Sequence, residues 1–287
     1  MNRHCLTLGA VIFSFSVCAE VRITADVVYG HKDGMALTYD VLTPENPNGA
    51  GILSMISGGW FSFWRPPSQR IRSYEPMLNT GYTVFAVHHG SAPLFKVPDA
   101  VLDVRAAVRH IRMNANEYGV DPKRLGVTGG SAGGHLSLML GLDRETSFEQ
   151  RSSASRGIRR FGRRYSVDAS TDGSVAAVVA YYPPVDLRRS VGPNDRFPAL
   201  DFSSELAPGI SPILFVDEND PPILLIHGDQ DALVPVAGSR ALAAKFVEAK
   251  VVHDLLVLEG AGHGFRGDQR TEASNAMIAW FDKHLAE

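Results

Sequence analysis

The chain is predicted to fold as an α/β protein, with a mostly parallel central sheet and helices on both faces. Short apolar runs of strand length alternate along it with longer segments of helical period, the pattern of parallel strands covered on both sides. Its 287 residues are 45% apolar and 21% charged, enough for one large core in a single domain over 20–287. No internal repeat interrupts the alternation, and a net charge of −3 suggests no nucleic-acid partner.

The first residues differ in character. Asn2-Arg3-His4 is a short basic start, Leu6 to Val17 is apolar, and Val17-Cys18-Ala19 resembles a signal-peptidase site before Glu20. The apolar run is too short for a comfortable membrane span. Residues 1–19 therefore read as a signal peptide cleaved after Ala19, which implies a secreted or periplasmic protein with no stable membrane insertion after processing. A first core strand is the competing reading. Phe15-Ser16-Val17 ahead of Cys18 is a poor lipoprotein box. Both cysteines, Cys5 and Cys18, fall in this segment. The mature chain would then have no disulfide, thiol nucleophile or thiolate metal site.

Ile52 to Ile56 reads as the first strand, and it ends in Ser57-Gly58-Gly59-Trp60. Paired glycines let backbone N–H groups approach a ligand without side-chain hindrance, so Gly58 and Gly59 are candidate oxyanion donors. Phe61, Phe63, Trp64, Pro66 and Pro67 follow closely. Trp60, Phe61 and Trp64 are candidate pocket walls, since ligand pockets usually have apolar ones; edge packing under a loop is the other reading. Tyr82 to Val87 is the next strand, followed by His88-His89. Adjacent strand residues point to opposite faces, which argues against a metal pair. A helix is expected from Asp99 to Tyr118, with Arg105, His110 and Arg112 in surface or structural roles.

The most informative stretch is Gly129-Gly130-Ser131-Ala132-Gly133. It follows the strand-like Arg124 to Thr128 and opens the helix-like His135 to Leu140. A serine on a sharp strand-to-helix turn exposes its hydroxyl, and small neighbours let the backbone turn and a substrate approach. The helix start also favours negative charge there. Ser131 is the candidate nucleophile and the N–H of Ala132 a candidate oxyanion donor. A glycine-rich turn that merely packs a helix closely on a sheet is the bland alternative, and the rest of the chain argues against it.

From Asp143 to Gly173 the chain is polar, with six arginines between Arg151 and Arg164. This stretch reads as a mobile insertion, a solvated loop in preference to an anion-binding lid. Val175 to Ala180 and Ile223 to Ile226 are further strands, and the second leads into His227-Gly228-Asp229-Gln230-Asp231. A carboxylate at a strand's C-terminal end faces the crevice where open α/β sheets hold their sites. Asp231 is the candidate orienting acid. Asp229 is better suited to stabilising the turn through its own backbone, and His227 to a structural role at the strand end. After the strand Leu255 to Leu258, His263 sits in Gly260-Ala261-Gly262-His263-Gly264, ahead of a final helix from Thr271 to Leu285. Flanking glycines leave the imidazole free to reach a neighbouring element, as a general base must. H-E-x-x-H, P-loop and dinucleotide motifs are absent from the sequence, so no metal or other cofactor is implied.

Together these motifs resemble the α/β-hydrolase superfamily, within it the secreted esterase and acetyl-xylan-esterase-like group that borders the prolyl-oligopeptidase-type peptidases. The order Ser131, Asp231, His263 is the one those hydrolases use. The likeness runs from about Asp33 to Leu285 and includes Gly119-Val120-Asp121-Pro122 and Tyr182-Pro183-Pro184-Val185-Asp186-Leu187. It implies a serine hydrolase cleaving carboxylic esters, with small-molecule or polysaccharide substrates, above all acetyl esters of carbohydrates. There are two departures. Ile56 and Ser57 stand where the family's His-Gly-Gly-Gly-Trp segment has its histidine and first glycine, which removes the hydrogen bond steadying that loop. His88 to Pro93 stands where many relatives carry Asn-Tyr-Arg. A peptidase of the prolyl-oligopeptidase type is the alternative, although no propeller-blade repeats precede the strands. A catalytically inactive hydrolase-fold binding protein is a further one, against which the intact Ser131, Asp231 and His263 weigh.

Overall fold

The computed structural model describes residues 21–143, 163–165 and 172–286. Its strands are β1 (Arg22–Lys32), β2 (Met35–Thr43), β3 (Gly51–Met55), β4 (Thr83–Val87), β5 (Leu125–Gly130), β6 (Arg163–Tyr165), β7 (Ala177–Tyr181), β8 (Ile223–Gly228) and β9 (His253–Leu258). Among the described residues they form one nine-stranded sheet in the order β6-β1-β2-β4-β3-β5-β7-β8-β9. From β4 to β9 every neighbouring pair is parallel. The β6-β1-β2 edge joins β4 in antiparallel fashion. This is the α/β-hydrolase architecture that the motifs imply.

Successive residues of the central strands feed two separate cores. Leu53, Phe85, Val178 and Leu225 pack with α2 (Val97–Asn114), α3 (Ala132–Leu142) and α4 (Ala237–Ala249). Ile52, Val84, Val179 and Leu224 pack on the other face with α1 (Ile71–Asn79) and α5 (Gly267–His284). The period of two along each strand therefore delivers apolar side chains to both helical layers. Each large one contributes roughly 1.5–3 kcal/mol when fully buried.

Two expectations are corrected. The sheet begins thirty residues before Ile52, in the β1–β2 hairpin, where Lys32 pairs with Met35 across Asp33-Gly34. Both turn residues have positive φ, 47° and 85°, the two-residue turn that Asp-Gly favours. The final helix starts a turn before Thr271, at Gly267. Of the two roles open to Arg105, the structural one holds. The residue is 2% exposed and binds both the carboxylate and the carbonyl of Asp143. Further along α2, Arg112 binds Ser174 and lies 3.5 Å from the Asp172 carboxylate. Two turns of α2 thus clamp both ends of the arginine-rich segment. Within that segment β6 pairs with β1, and residues 144–162 and 166–171 lie outside the described residues. So does the predicted signal peptide, 1–19. Among the described residues no helix is long and apolar enough to cross a membrane.

Candidate active site

Ser131 joins β5 to α3 with φ 55° and ψ −119°, a region that side-chain-bearing residues seldom enter. Two close approaches hold it there. A Cβ on Gly129 would lie 2.6 Å from the Gly133 backbone, and one on Gly133 would lie 2.9 Å from the Met55 carbonyl oxygen. Only glycine at both positions lets the turn close and lets the end of β3 press against it. The Ser131 N–H donates to the Tyr181 carbonyl at 2.9 Å, and its carbonyl accepts from the His135 N–H at 2.9 Å.

The loops after β8 and β9 converge on this serine. His263 Nδ1 lies 2.7 Å from Asp231 Oδ2, and His263 Nε2 lies 3.0 Å from Ser131 Oγ. A carboxylate only accepts, so Nδ1 carries the proton and Nε2 accepts from the serine hydroxyl. The Asp231 carboxylate is buried, and its Oδ1 accepts from the Leu233 and Val234 N–H groups at 2.9 Å each. These bonds aim Oδ2 at the imidazole. His227 packs behind, with Nε2 donating to the Val234 carbonyl at 2.8 Å and Nδ1 accepting from the Ser239 hydroxyl at 2.8 Å. Burial lowers its pKa, opposed by the Val234 hydrogen bond and the Asp231 charge. Asp229 does not serve its own turn: its carboxylate accepts the Gly260 N–H at 2.8 Å, tying the β8 loop to the loop that carries His263.

Opposite the serine, Gly58 and Phe61 exchange two backbone hydrogen bonds of 3.0 Å, closing a tight hairpin. Its central residues, Gly59 and Trp60, have φ of 57° and 59°. The Gly58 N–H is therefore engaged by Phe61, which removes it from the expected donor set. Among the described residues, the N–H groups of Gly59 and Ala132 donate to no backbone or side-chain acceptor. A bulky residue at positive φ needs support, and Trp60 has it. Its indole N–H points at His135 Nδ1 across 3.4 Å, and the rings meet edge to face at 5.5 Å. His135 is fully buried, donates from Nε2 to the Ile210 carbonyl at 2.8 Å, and is pushed down to about 4 by that burial.

A cavity of about 390 Å³ opens beside Ser131, walled by Trp60, Pro184, Leu187, Phe197, Leu200 and Leu233, with Arg189, Ser190 and Asn194 supplying polar groups. Of the three expected wall residues only Trp60 lines it. Phe61 stacks on Phe63 instead, and Trp64 is 57% exposed with its indole N–H on Asp26 of β1. Sequence reasoning missed Tyr182 as a neighbour of the site. Its ring lies 4.7 Å from the His263 ring and 5.1 Å from Phe265, and burial, then the Asp231 charge, raises its phenol pKa. Its place at the end of β7, just before Pro183-Pro184, was the available signal.

The chain is similar to several known proteins. Esterase LipC of Mycobacterium tuberculosis is 30% identical over 231 residues, 75% of this chain and 53% of LipC. An acetylxylan esterase of Xylanibacter ruminicola is 27% identical over 49% of this chain and 28% of its own length. The chain thus spans about half the length of LipC and less of the second relative. A truncated carbohydrate esterase from gut microbiota has a solved structure that matches with TM-score 0.74 at 28% identity, covering 95% of this chain and 99% of that one. The BD-FAE family model matches residues 39–246. That is well over half of the chain, which belongs to the BD-FAE family.

Proposed function

We propose that the chain is a serine hydrolase of carboxylic esters, with Ser131 as nucleophile, His263 as base and Asp231 as orienting acid. One observation carries this: His263 is hydrogen-bonded to Ser131 on one nitrogen and to Asp231 on the other. Ser131 Oγ attacks the acyl carbon while its proton passes to His263 Nε2. The carbonyl oxygen becomes an oxyanion that accepts from the N–H groups of Gly59 and Ala132. His263 then returns the proton to the departing alcohol. Water repeats the sequence on the acyl-enzyme and releases the acid and the free serine. Asp231 stabilises the imidazolium formed in each half.

Short-acyl esters of carbohydrates are the proposed substrates. The names of a carbohydrate esterase and an acetylxylan esterase among the relatives support that choice. So do the hydrogen-bonding groups of Arg189, Ser190 and Asn194 in a cavity otherwise apolar. Residues 1–19 are proposed to be a signal peptide that directs the chain out of the cytoplasm.

Hydrolysis of p-nitrophenyl acetate, butyrate and octanoate by the chain and by Ser131→Ala tests the proposal. Turnover falling with acyl length and abolished in the variant is expected. Turnover that survives Ser131→Ala overturns the mechanism.

A further inference from the structure

The hairpin that offers the Gly59 N–H carries Ile56 and Ser57 where the resemblance calls for a histidine and a glycine. A histidine reaches it from elsewhere. Met55 of β3 pairs in register with Val87 of β4, so Ser57 and His89, each two residues further on, leave the sheet on the same side. His89 Nε2 lies 2.9 Å from Ser57 Oγ, and His89 Nδ1 lies 2.9 Å from the Gly90 carbonyl oxygen. A carbonyl only accepts, so Nδ1 holds the proton, Nε2 is a bare acceptor, and the Ser57 hydroxyl donates to it.

The same short segment binds the hairpin's other flank. The Ser62 hydroxyl oxygen accepts from the His89 N–H at 3.3 Å and meets His88 Nδ1 at 3.3 Å. The Ser62 N–H donates to Ser91 Oγ at 3.0 Å, and the Ala92 N–H donates to the Trp60 carbonyl at 3.1 Å. The segment is itself anchored, since the Gly90 N–H donates to Asp103 at 2.9 Å, and Asp103 is ion-paired with the buried Lys32. His89 is 4% exposed, and burial pushes it down to about 4. It is therefore a neutral acceptor at neutral pH.

We infer that His89 is a positioning residue: through the Ser57 hydroxyl it holds the Gly58–Phe61 hairpin so that the Gly59 N–H meets the oxyanion. The two departures from the family pattern are then one compensated change. The steadying imidazole has moved from position 56 to the end of the neighbouring strand, and a serine has replaced glycine to meet it. The inference rests on the ester-hydrolase function proposed for the chain.

Kinetics with p-nitrophenyl acetate and inhibition by an alkyl trifluoromethyl ketone test it. The ketone accepts Ser131 Oγ at its carbonyl carbon, the hydroxyl proton passes to His263, and the carbonyl oxygen becomes a standing oxyanion. In Ser57→Ala and His89→Leu, kcat is expected to fall about tenfold, less than the loss of a whole donor, with KM within about twofold. The ketone's inhibition constant rises by the same factor. Ser57→Thr keeps the hydroxyl and restores both, and the double variant is no worse than either single one. Unchanged kcat and ketone affinity in a folded Ser57→Ala overturn the inference, as does a loss confined to KM. If His89→Leu fails to fold, the Ser57→Ala and Ser57→Thr pair decides. Absence of both turnover and ketone binding in the unaltered chain overturns the ester-hydrolase proposal itself and this inference with it.

Discussion

Two tight turns face each other across the site, and they are held by different forces. The turn at Ser131 is held by crowding. Glycines at 129 and 133 stand where a Cβ would strike backbone atoms at 2.6 and 2.9 Å, and the serine's own N–H and carbonyl are engaged within the adjoining elements. The Gly58–Phe61 hairpin is held by reach. Its supports are the His89–Ser57 bond, the Trp60–His135 contact and the Ser62 bonds to residues 88, 89 and 91. The crowding of Gly129 against Gly133 is a local property of the chain, whereas that of Gly133 against Met55 and the hairpin's supports depend on which distant segments the sheet brings alongside.

The largest expected effects lie at the first turn and its partners. Ser131→Ala should lower kcat/KM by at least about 10⁴-fold with an unchanged melting temperature, read with p-nitrophenyl acetate. Asp231→Asn should follow at about 10³–10⁴-fold, because an amide presents its N–H to the imidazole and favours the wrong tautomer. Full activity in either variant would detach the turn from the chemistry.

Gly133→Ala tests the seam between the two turns. Its methyl group would meet the Met55 carbonyl oxygen at 2.9 Å, and backbone yields less readily than a flexible side chain. Overpacking of this kind costs about 1–3 kcal/mol, so calorimetry should record a lower melting temperature together with a lower kcat. A variant as stable and active as the parent would mean that the seam has slack.

Acidification should act through the supports of the second turn. Burial pushes both His89 and His135 down to about 4 from the ordinary 6.5. In the unfolded chain they take up protons near pH 6.5, while in the folded one they do not until about 4. Their stabilising contribution is therefore complete above about pH 6.5 and is lost as the pH falls through about 4. Melting temperature measured across this window should decline, and His135→Gln should make the decline shallower. A flat profile would show that these imidazoles charge without penalty. The smallest effect is expected for Trp64→Ala: the ring is 57% exposed and does not line the cavity, so stability should change by less than about 0.5 kcal/mol and kcat/KM hardly at all.

Legibility in the sequence followed the same division. The parallel strands, α2 up to its tightening at Ala115–Tyr118 and the Ser131 turn were readable because each depends on residues close together in the chain. Asp231 and His263 were readable because each sits at a strand end among turn residues. The β1–β2 hairpin escaped despite its Asp-Gly turn, because much of β1 is exposed and offers no apolar run. The role of Arg105 stayed open between surface and structure because its partner, Asp143, lies beyond the end of α3. Trp64 stayed open between pocket wall and edge packing because an aromatic residue beside a glycine turn packs either inward or outward with the same local pattern.

Residue order alone, then, determined the strand-to-helix turn, the candidate acid and base and their order along the chain, since backbone sterics and strand periodicity act over a few residues. Tertiary structure alone decided which aromatic residue walls the cavity and which histidine steadies the hairpin. Those outcomes turn on hydrogen bonds between segments 27 to 75 positions apart, whose partners are chosen by the register of the sheet and by no local pattern.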